Sequence, residues 1–294
     1  MGKSRGRTID TLKHWNWRKL RLIPCLALFG TELLLAAPNQ GLALSLQETQ
    51  GSKWSGNASV GILSSTMNPD EAEYVSQALF SADFSAMLFD GWTTGAGLRA
   101  NKDLNNEQVN RLSSAYFLLN RRLYKNDQGL DSNLGLYYYL PVEKTELRYD
   151  TYRGAVAVTP AINYSWGEGQ LRGLSVLASM NVMRRFYRYT SNQGGYPLVK
   201  ESFTTSIGAT YTFATKWGLG VQFANTQAWD FDGEPFRSEY SSTQTITYNW
   251  SELLSFAVGH TTGGYTFNYG GADYDIRFYD RYTSKVFGSV AYSI

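Results

Sequence analysis

The chain has 294 residues and a formal net charge of +2 at pH 7. That near-balance argues against nucleic acid as a partner, because such binders carry a basic face. Two histidines, His14 and His260, exclude a multi-histidine metal site, and the single cysteine, Cys25, leaves no partner for a disulfide.

Hydrophobic residues make up 43% of the chain, yet the mean hydropathy is slightly negative. No stretch reaches the ~18 uninterrupted apolar residues that a spanning helix needs. Aromatic content is 15%, led by 21 tyrosines. A chain rich in Tyr, Thr, Ser, Gly and Val favours sheet over helix.

The first 43 residues read as a secretory signal. Lys3, Arg5, Arg7, Lys13, Arg18, Lys19 and Arg21 form a basic start, and an apolar stretch from Leu22 to Ala37 follows. Small residues at Gly41 and Ala43 suit cleavage after Ala43. The basic part is long, and Glu32 interrupts the apolar run. An amphipathic helix retained in the mature chain is the competing reading. Leu22-Ile23-Pro24-Cys25 resembles a lipoprotein box, but it precedes the apolar run, so lipidation is not expected.

The barrel domain is expected over residues 44–294, and from about Lys53 onward it alternates with period two, the signature of strands whose side chains point to opposite faces. In chain order the apolar rows begin with Ala58, Val60 and Ile62, then Phe80, Ala82, Phe84, Ala86 and Leu88. Further rows run through Leu134 to Leu140, Tyr152 to Trp166, Leu174 to Val182, Phe203 to Phe213, Trp217 to Phe223, Tyr240 to Trp250, and Leu254 to Val258. The chain closes on Val286, Gly288, Val290, Tyr292 and Ile294. The opposite parity carries Ser, Thr, Asn, Gly and Ala, with occasional Arg. A soluble sandwich would place Lys and Glu there; small polar residues suit a polar interior wrapped by an apolar exterior.

Twelve strands are predicted, at 52–65, 76–90, 92–103, 108–124, 130–140, 150–166, 169–189, 198–215, 217–229, 238–250, 253–263 and 274–294. The fourth has an ambiguous apolar face. Connections after even strands are short: Asp90-Gly91, Asn126 to Gly129, Gly167 to Gly169, Lys216 and Ser251-Glu252. Those after odd strands are longer and polar. Even strand number with short turns on one side and long loops on the other is the layout of a transmembrane antiparallel up-and-down β-barrel, with both termini periplasmic.

On these features the chain resembles the Gram-negative outer-membrane β-barrels of porin-like architecture, over nearly all of residues 44–294. The final segment, Val286 to Ile294, resembles the terminal signal read by the barrel-assembly machinery, although Ile294 replaces the usual final aromatic. The resemblance implies the cell outer membrane, with outer-membrane lipid and the assembly machinery, through 286–294, as partners. It names no single family, and fold alone does not assign function.

Trp54, Trp92, Tyr164, Trp166, Trp217, Tyr248, Trp250 and Tyr292 fall near predicted strand ends and suit an interfacial aromatic girdle. Parity places Asp83, Arg99, Arg153 and Arg185 in the lumen, joined by Arg111 or Arg122 according to the register of the fourth strand. More arginine than acid would favour anions in a pore; Arg–Asp pairs filling a narrow interior is the alternative.

Catalytic signals are weak. His260 is the one candidate base, with lipid-facing parity near the outer rim; Ser255 lies on the other face, and no G-x-S-x-G motif occurs. Asp230-Phe231-Asp232-Gly233-Glu234 and Asp273-Tyr274-Asp275 lack calcium-loop spacing and read as solvated turns. No metal and no cofactor is expected. Tyr265, Phe267, Tyr269 and Tyr274, in the final loop, could stack on sugars, contact a partner or plug the lumen. The leading expectation is a passive channel for small hydrophilic solutes with an anion preference. A non-conducting structural or surface-interaction barrel, and then a lipid-modifying enzyme at His260, are the alternatives.

Overall fold

The computed structural model describes residues 54–69, 71, 74–105, 110–143, 150–267 and 273–294. The predicted signal peptide therefore lies outside the described residues. Twelve strands follow one another: β1 (Trp54–Ser65), β2 (Ser76–Phe89), β3 (Trp92–Asp103), β4 (Asn110–Lys125), β5 (Leu130–Leu140), β6 (Tyr152–Ser165), β7 (Leu174–Tyr187), β8 (Glu201–Phe213), β9 (Trp217–Trp229), β10 (Glu239–Asn249), β11 (Leu254–Tyr265) and β12 (Lys285–Ser293). Each pairs antiparallel with its sequence neighbours, and β1 pairs with β12, so the sheet is a closed barrel.

Closure removes the edges that lipid could not satisfy. An unpaired backbone group in hydrocarbon costs several kcal/mol. The seam runs in register from Asn57 opposite Ser293 to Ser65 opposite Lys285. Ile294 extends it: its N–H donates to the Gly56 carbonyl at 2.8 Å, and its carbonyl accepts the Gly56 N–H at 3.1 Å.

The alternation in the sequence sets the two faces. Val60, Ile62, Phe84, Ile162, Val182, Ile207, Val221 and Val258 are all more than half exposed on the outside. Opposite them, Ser59, Ser81, Thr159, Ser202, Thr204, Thr243, Thr245 and Thr247 are buried. This inversion of the soluble pattern is stable only where the outer face meets lipid. Strands of 9 to 16 residues meet or exceed the ~9–11 that a tilted crossing needs.

Three elements depart from the sequence reading. β4 carries a bulge opposite Arg99 and Ala100, which resolves its ambiguous face: parity changes at Ser113, so Arg111 and Arg122 both fall on the inner face. β6 carries a bulge between Tyr152 and Gly154. Tyr152 thereby turns inward, where alternation alone would point it outward. β12 starts at Lys285, and residues 274–284 are not a strand. The alternation of Tyr274, Ile276 and Phe278 breaks at Tyr279-Asp280, and Asp280 accepts the N–H of Tyr282 at 2.8 Å and bends the chain.

Aromatic residues mark the short-turn rim. Trp54 stacks with Phe84 at 6.5 Å, Trp92 packs with Phe89 at 5.6 Å, and Tyr164 meets Trp166 at 4.6 Å. Tyr248 contacts both Trp217 (4.7 Å) and Trp250 (6.4 Å), and Tyr292 is exposed near the end of β12. Arg121 lies over the Trp92 ring at 5.2 Å.

Candidate functional site: the barrel lumen

The inner wall has two unlike halves. From β2 to β7 it is bulky. Tyr116, Leu118, Tyr137, Tyr152, Ala155, Ala157 and Met183 form one buried cluster, with Tyr139 and Tyr187 packed against it. Ring centroids of Tyr116, Tyr137 and Tyr139 lie 5.7 to 6.0 Å apart. Glycine makes room for these rings: a Cβ at Gly97 would collide with the Tyr116 ring and with Asp83. From β8 to β11 the inner row is small: Ser202, Thr204, Ser206, Gly208 and Thr210, then Gly218, Gly220 and Gln222, then Thr243, Thr245 and Thr247.

Asp83 and Arg99 meet on the bulky side. The Arg99 guanidinium donates to Asp83 at 2.7 Å and to the Tyr116 hydroxyl at 3.2 Å, while that hydroxyl donates to Asp83 at 2.6 Å. Arg99 is 4% exposed. This buried, paired cation ties β2, β3 and β4 together.

Arg185 is also on the inner face at 4% exposure, with Nη1 3.4 Å from the Ser202 hydroxyl. Arg153 does not join this set: it is the extra residue of the β6 bulge and is exposed. Strict alternation had placed it in the lumen; the bulge shifts the register of that strand end. Arg122 reaches Asp131 at 3.6 Å, and Arg111 lies 3.8 Å from Glu143.

Two cations were missed. Lys200 shares the parity of Ser202 and lies 5.9 Å from the centre of the Phe231 ring. Lys285 stands opposite the inward-facing Ser65 and Thr261. Neither lysine makes an ion pair among the described residues. Both were legible from alternation, since each sits in step with an inward row.

Two of the long loops are closed by their own contacts over their described parts. Residues 188–200 close on themselves through the Ser191–Pro197 bridge and the Asn192 side chain, which accepts the N–H groups of Gly194 and Tyr196. Asp230 Oδ1 accepts the N–H groups of Asp232 (2.9 Å) and Glu234 (2.8 Å), so that acidic run is a capped turn. Among the described residues no cluster of His, Cys, Asp or Glu could hold a metal ion.

Residues 273–284 lie against the outside of the wall. Tyr240, His260 and Thr262 belong to outward-facing rows, yet Tyr240 is 5% exposed and Thr262 1%. The segment covers them. The Tyr240 hydroxyl accepts the Arg277 N–H at 2.7 Å and donates to its carbonyl at 3.1 Å; Thr262 and Thr283 share a hydrogen bond at 3.2 Å; Tyr279 stacks on His260 at 6.0 Å. Arg281 pairs with Glu71 and ties the segment to the first long loop. The final loop is thus a strap on the wall over its described part.

His260 has the outward parity expected of it. Its Nδ1 lies 2.8 Å from Gln244 Oε1, and its buried Nε2 has no hydrogen-bond partner. No hydroxyl is within hydrogen-bond reach of Nε2, so the arrangement lacks the nucleophile–base contact that hydrolysis needs.

No protein-family model matches the chain, and no curated protein matches it either. Solved structures do. The chain is similar to the NanC porin at 9% identity and a TM-score of 0.52, covering 81% of this chain and 98% of that one. It is also similar to an outer-membrane channel from Pseudomonas putida F1, at 8% identity and a TM-score of 0.53, covering 83% and 96%. These likenesses show the fold, which is that of an outer-membrane β-barrel. With the apolar outer belt, that fold places the chain in the outer membrane.

Proposed function

We propose that the chain is a passive outer-membrane channel for small hydrophilic solutes, with a preference for anions. The observation that carries this reading is the inner row of small neutral residues on β8–β10. Lys200 and Lys285 bias the interior toward anions, whereas the charge of Arg99 is matched by Asp83. The resemblance of the fold to porins and channels agrees with this reading.

In this orientation the termini and short turns face the periplasm, and residues 286–294 engage the assembly machinery. A Tyr292→Ala variant should then insert more slowly when the machinery is present; an unchanged rate removes that assignment.

Liposome swelling tests the channel directly. Vesicles carrying the refolded chain should swell in monosaccharides faster than in trisaccharides. A folded barrel that passes no sugar of any size overturns the channel reading and leaves the non-conducting, surface-interaction barrel.

A further inference from the structure

The apolar outer belt is broken over β10 and β11. In the halves of these strands nearer the long loops, Ser242, Gln244, His260 and Thr262 hold positions that alternation points toward lipid. Polar groups bare to hydrocarbon are costly. Here they are joined and covered. Gln244 donates to the Ser242 hydroxyl at 2.8 Å, and its Oε1 lies beside His260. Residues 273–284 lie over the row through Thr283 on Thr262 and Tyr279 on His260.

The height of this strap follows from the strands beneath it. It is clipped to the Tyr240 hydroxyl, and eight residues separate Tyr240 from Tyr248 of the short-turn aromatic rim. At ~3.4 Å per residue and a tilt of about 40°, the clip stands roughly 21 Å above that rim, against an apolar band about 25 Å tall. Tyr279 sits lower. Its partner His260 is six residues up β11 from Leu254, which pairs with Tyr292 of the same rim, a rise of roughly 16 Å. The strap therefore runs along the outer edge of the apolar band.

Its other side is aromatic. Tyr274, Phe278, Tyr279 and Tyr282 are 62% to 75% exposed. These rings continue into the belt at Val286, which pairs with His260, and at Val258, the next outward residue down β11; both valines are exposed. The strap arginines are already matched, Arg277 by Asp275 and Asp280, and Arg281 by Glu71.

We propose that residues 273–284 are a lipid-binding patch that completes the belt over β10–β11. The strap shields the polar row and presents Tyr274, Phe278, Tyr279 and Tyr282 to outer-leaflet lipid, at the boundary of headgroups and acyl chains. Tyrosine suits that boundary, because its ring meets the chains and its hydroxyl the headgroups. Exposed apolar patches of this kind mark interaction surfaces, and continuity with Val258 and Val286 makes lipid the occupant. With its arginines matched, the contact is indifferent to headgroup charge.

A dye at single cysteines tests the patch. Cys25→Ser clears the one native thiol, and Phe278→Cys, labelled with nitrobenzoxadiazole, reports the strap in the full chain refolded into vesicles. A nitroxide high on the lipid acyl chain should quench that label at least threefold more strongly than iodide present on both sides of the membrane. Tyr282→Cys should behave alike, and Val258→Cys marks the belt. Asp232→Cys, in the capped turn between β9 and β10, should show the reverse. Neutral and anionic vesicles should give the same ratio. Iodide quenching of Phe278→Cys as strong as that of Asp232→Cys overturns the patch, and so does nitroxide quenching that appears only with anionic lipid. Shielding from both quenchers overturns it too, and a bis-maleimide cross-link between two copies of Phe278→Cys would then assign the rings to a second copy of the chain.

Discussion

Replacing Arg99 by Met tests whether the buried pair on β2–β3 is structural or electrostatic in its effect. The Arg99 and Asp83 side chains are 5% and 11% exposed, and 2.7 Å apart. Met keeps the length of the arginine stem and leaves the Asp83 carboxylate with only the Tyr116 hydroxyl. Stranding one member of a buried ion pair costs about 3–5 kcal/mol, so R99M should lower the unfolding free energy by that order. D83N should cost a comparable amount, because it strands Arg99 instead. The double variant removes both charges, and its cost should fall short of the sum of the singles by about 3 kcal/mol. Equilibrium urea unfolding in lipid vesicles, followed by tryptophan fluorescence, reads all three. The same double variant should keep the parent ion selectivity, since the pair is internally neutral. Additive costs, or single costs under about 1 kcal/mol, would refute the claim that the pair is buried and coupled; a changed selectivity would refute its neutrality toward the pore.

Tyr240→Phe removes the hydroxyl that holds both backbone groups of Arg277. That contact is worth about 1–2 kcal/mol, so trypsin should cut after Arg277 and Arg281 roughly tenfold faster, and an unchanged rate would show that the strap is held elsewhere. The strap should also loosen in acid. The Tyr282 N–H, then the Arg277 guanidinium and the Thr283 N–H, hold the Asp280 carboxyl below the usual carboxylate range against the opposing effect of burial. Its contribution is complete above the ordinary value of about 4 and is lost as pH falls through the lower folded value. Hydrogen exchange at residues 282–284 should therefore be flat from pH 7 to about 5, once corrected for intrinsic rates, and should accelerate below about 4; acceleration already at pH 6 would exclude Asp280 as the cause. Gly259→Val should obstruct closure, because a Cβ there meets the Phe287 ring and the Gln244 carbonyl. The variant should fail to give the heat-modifiable shift on a gel; a normal shift would mean that Phe287 moves aside.

Most of the fold was legible because membrane barrels write it in alternation. The apolar rows from Phe80 to Val258 point outward as their parity requires, and the short turns at Asp90-Gly91 and Asn126 to Gly129 use glycines at positive φ, 72° and 97°. Bulges were not legible. They insert one residue without changing its chemical type, so Arg153 was misplaced and Tyr152 hidden until the strand pairings were known. Residues 274–278 keep the strand period, and the break at Tyr279-Asp280, with the contacts to Tyr240 and Thr262, separates a strap from a strand. The Arg99–Asp83–Tyr116 contact needed register across three strands, which parity within one strand does not supply. Lys200 and Lys285 are legible in the sequence, since each keeps step with an inward row.

Single-channel recording of the refolded mature chain in a planar bilayer, with reversal potential under a salt gradient, tests the central claim most directly. The account predicts steady conductance with anion preference, unchanged in the double variant of Arg99 and Asp83 and reduced in Lys285→Gln. A folded barrel that carries no current, or one that favours cations, would contradict it.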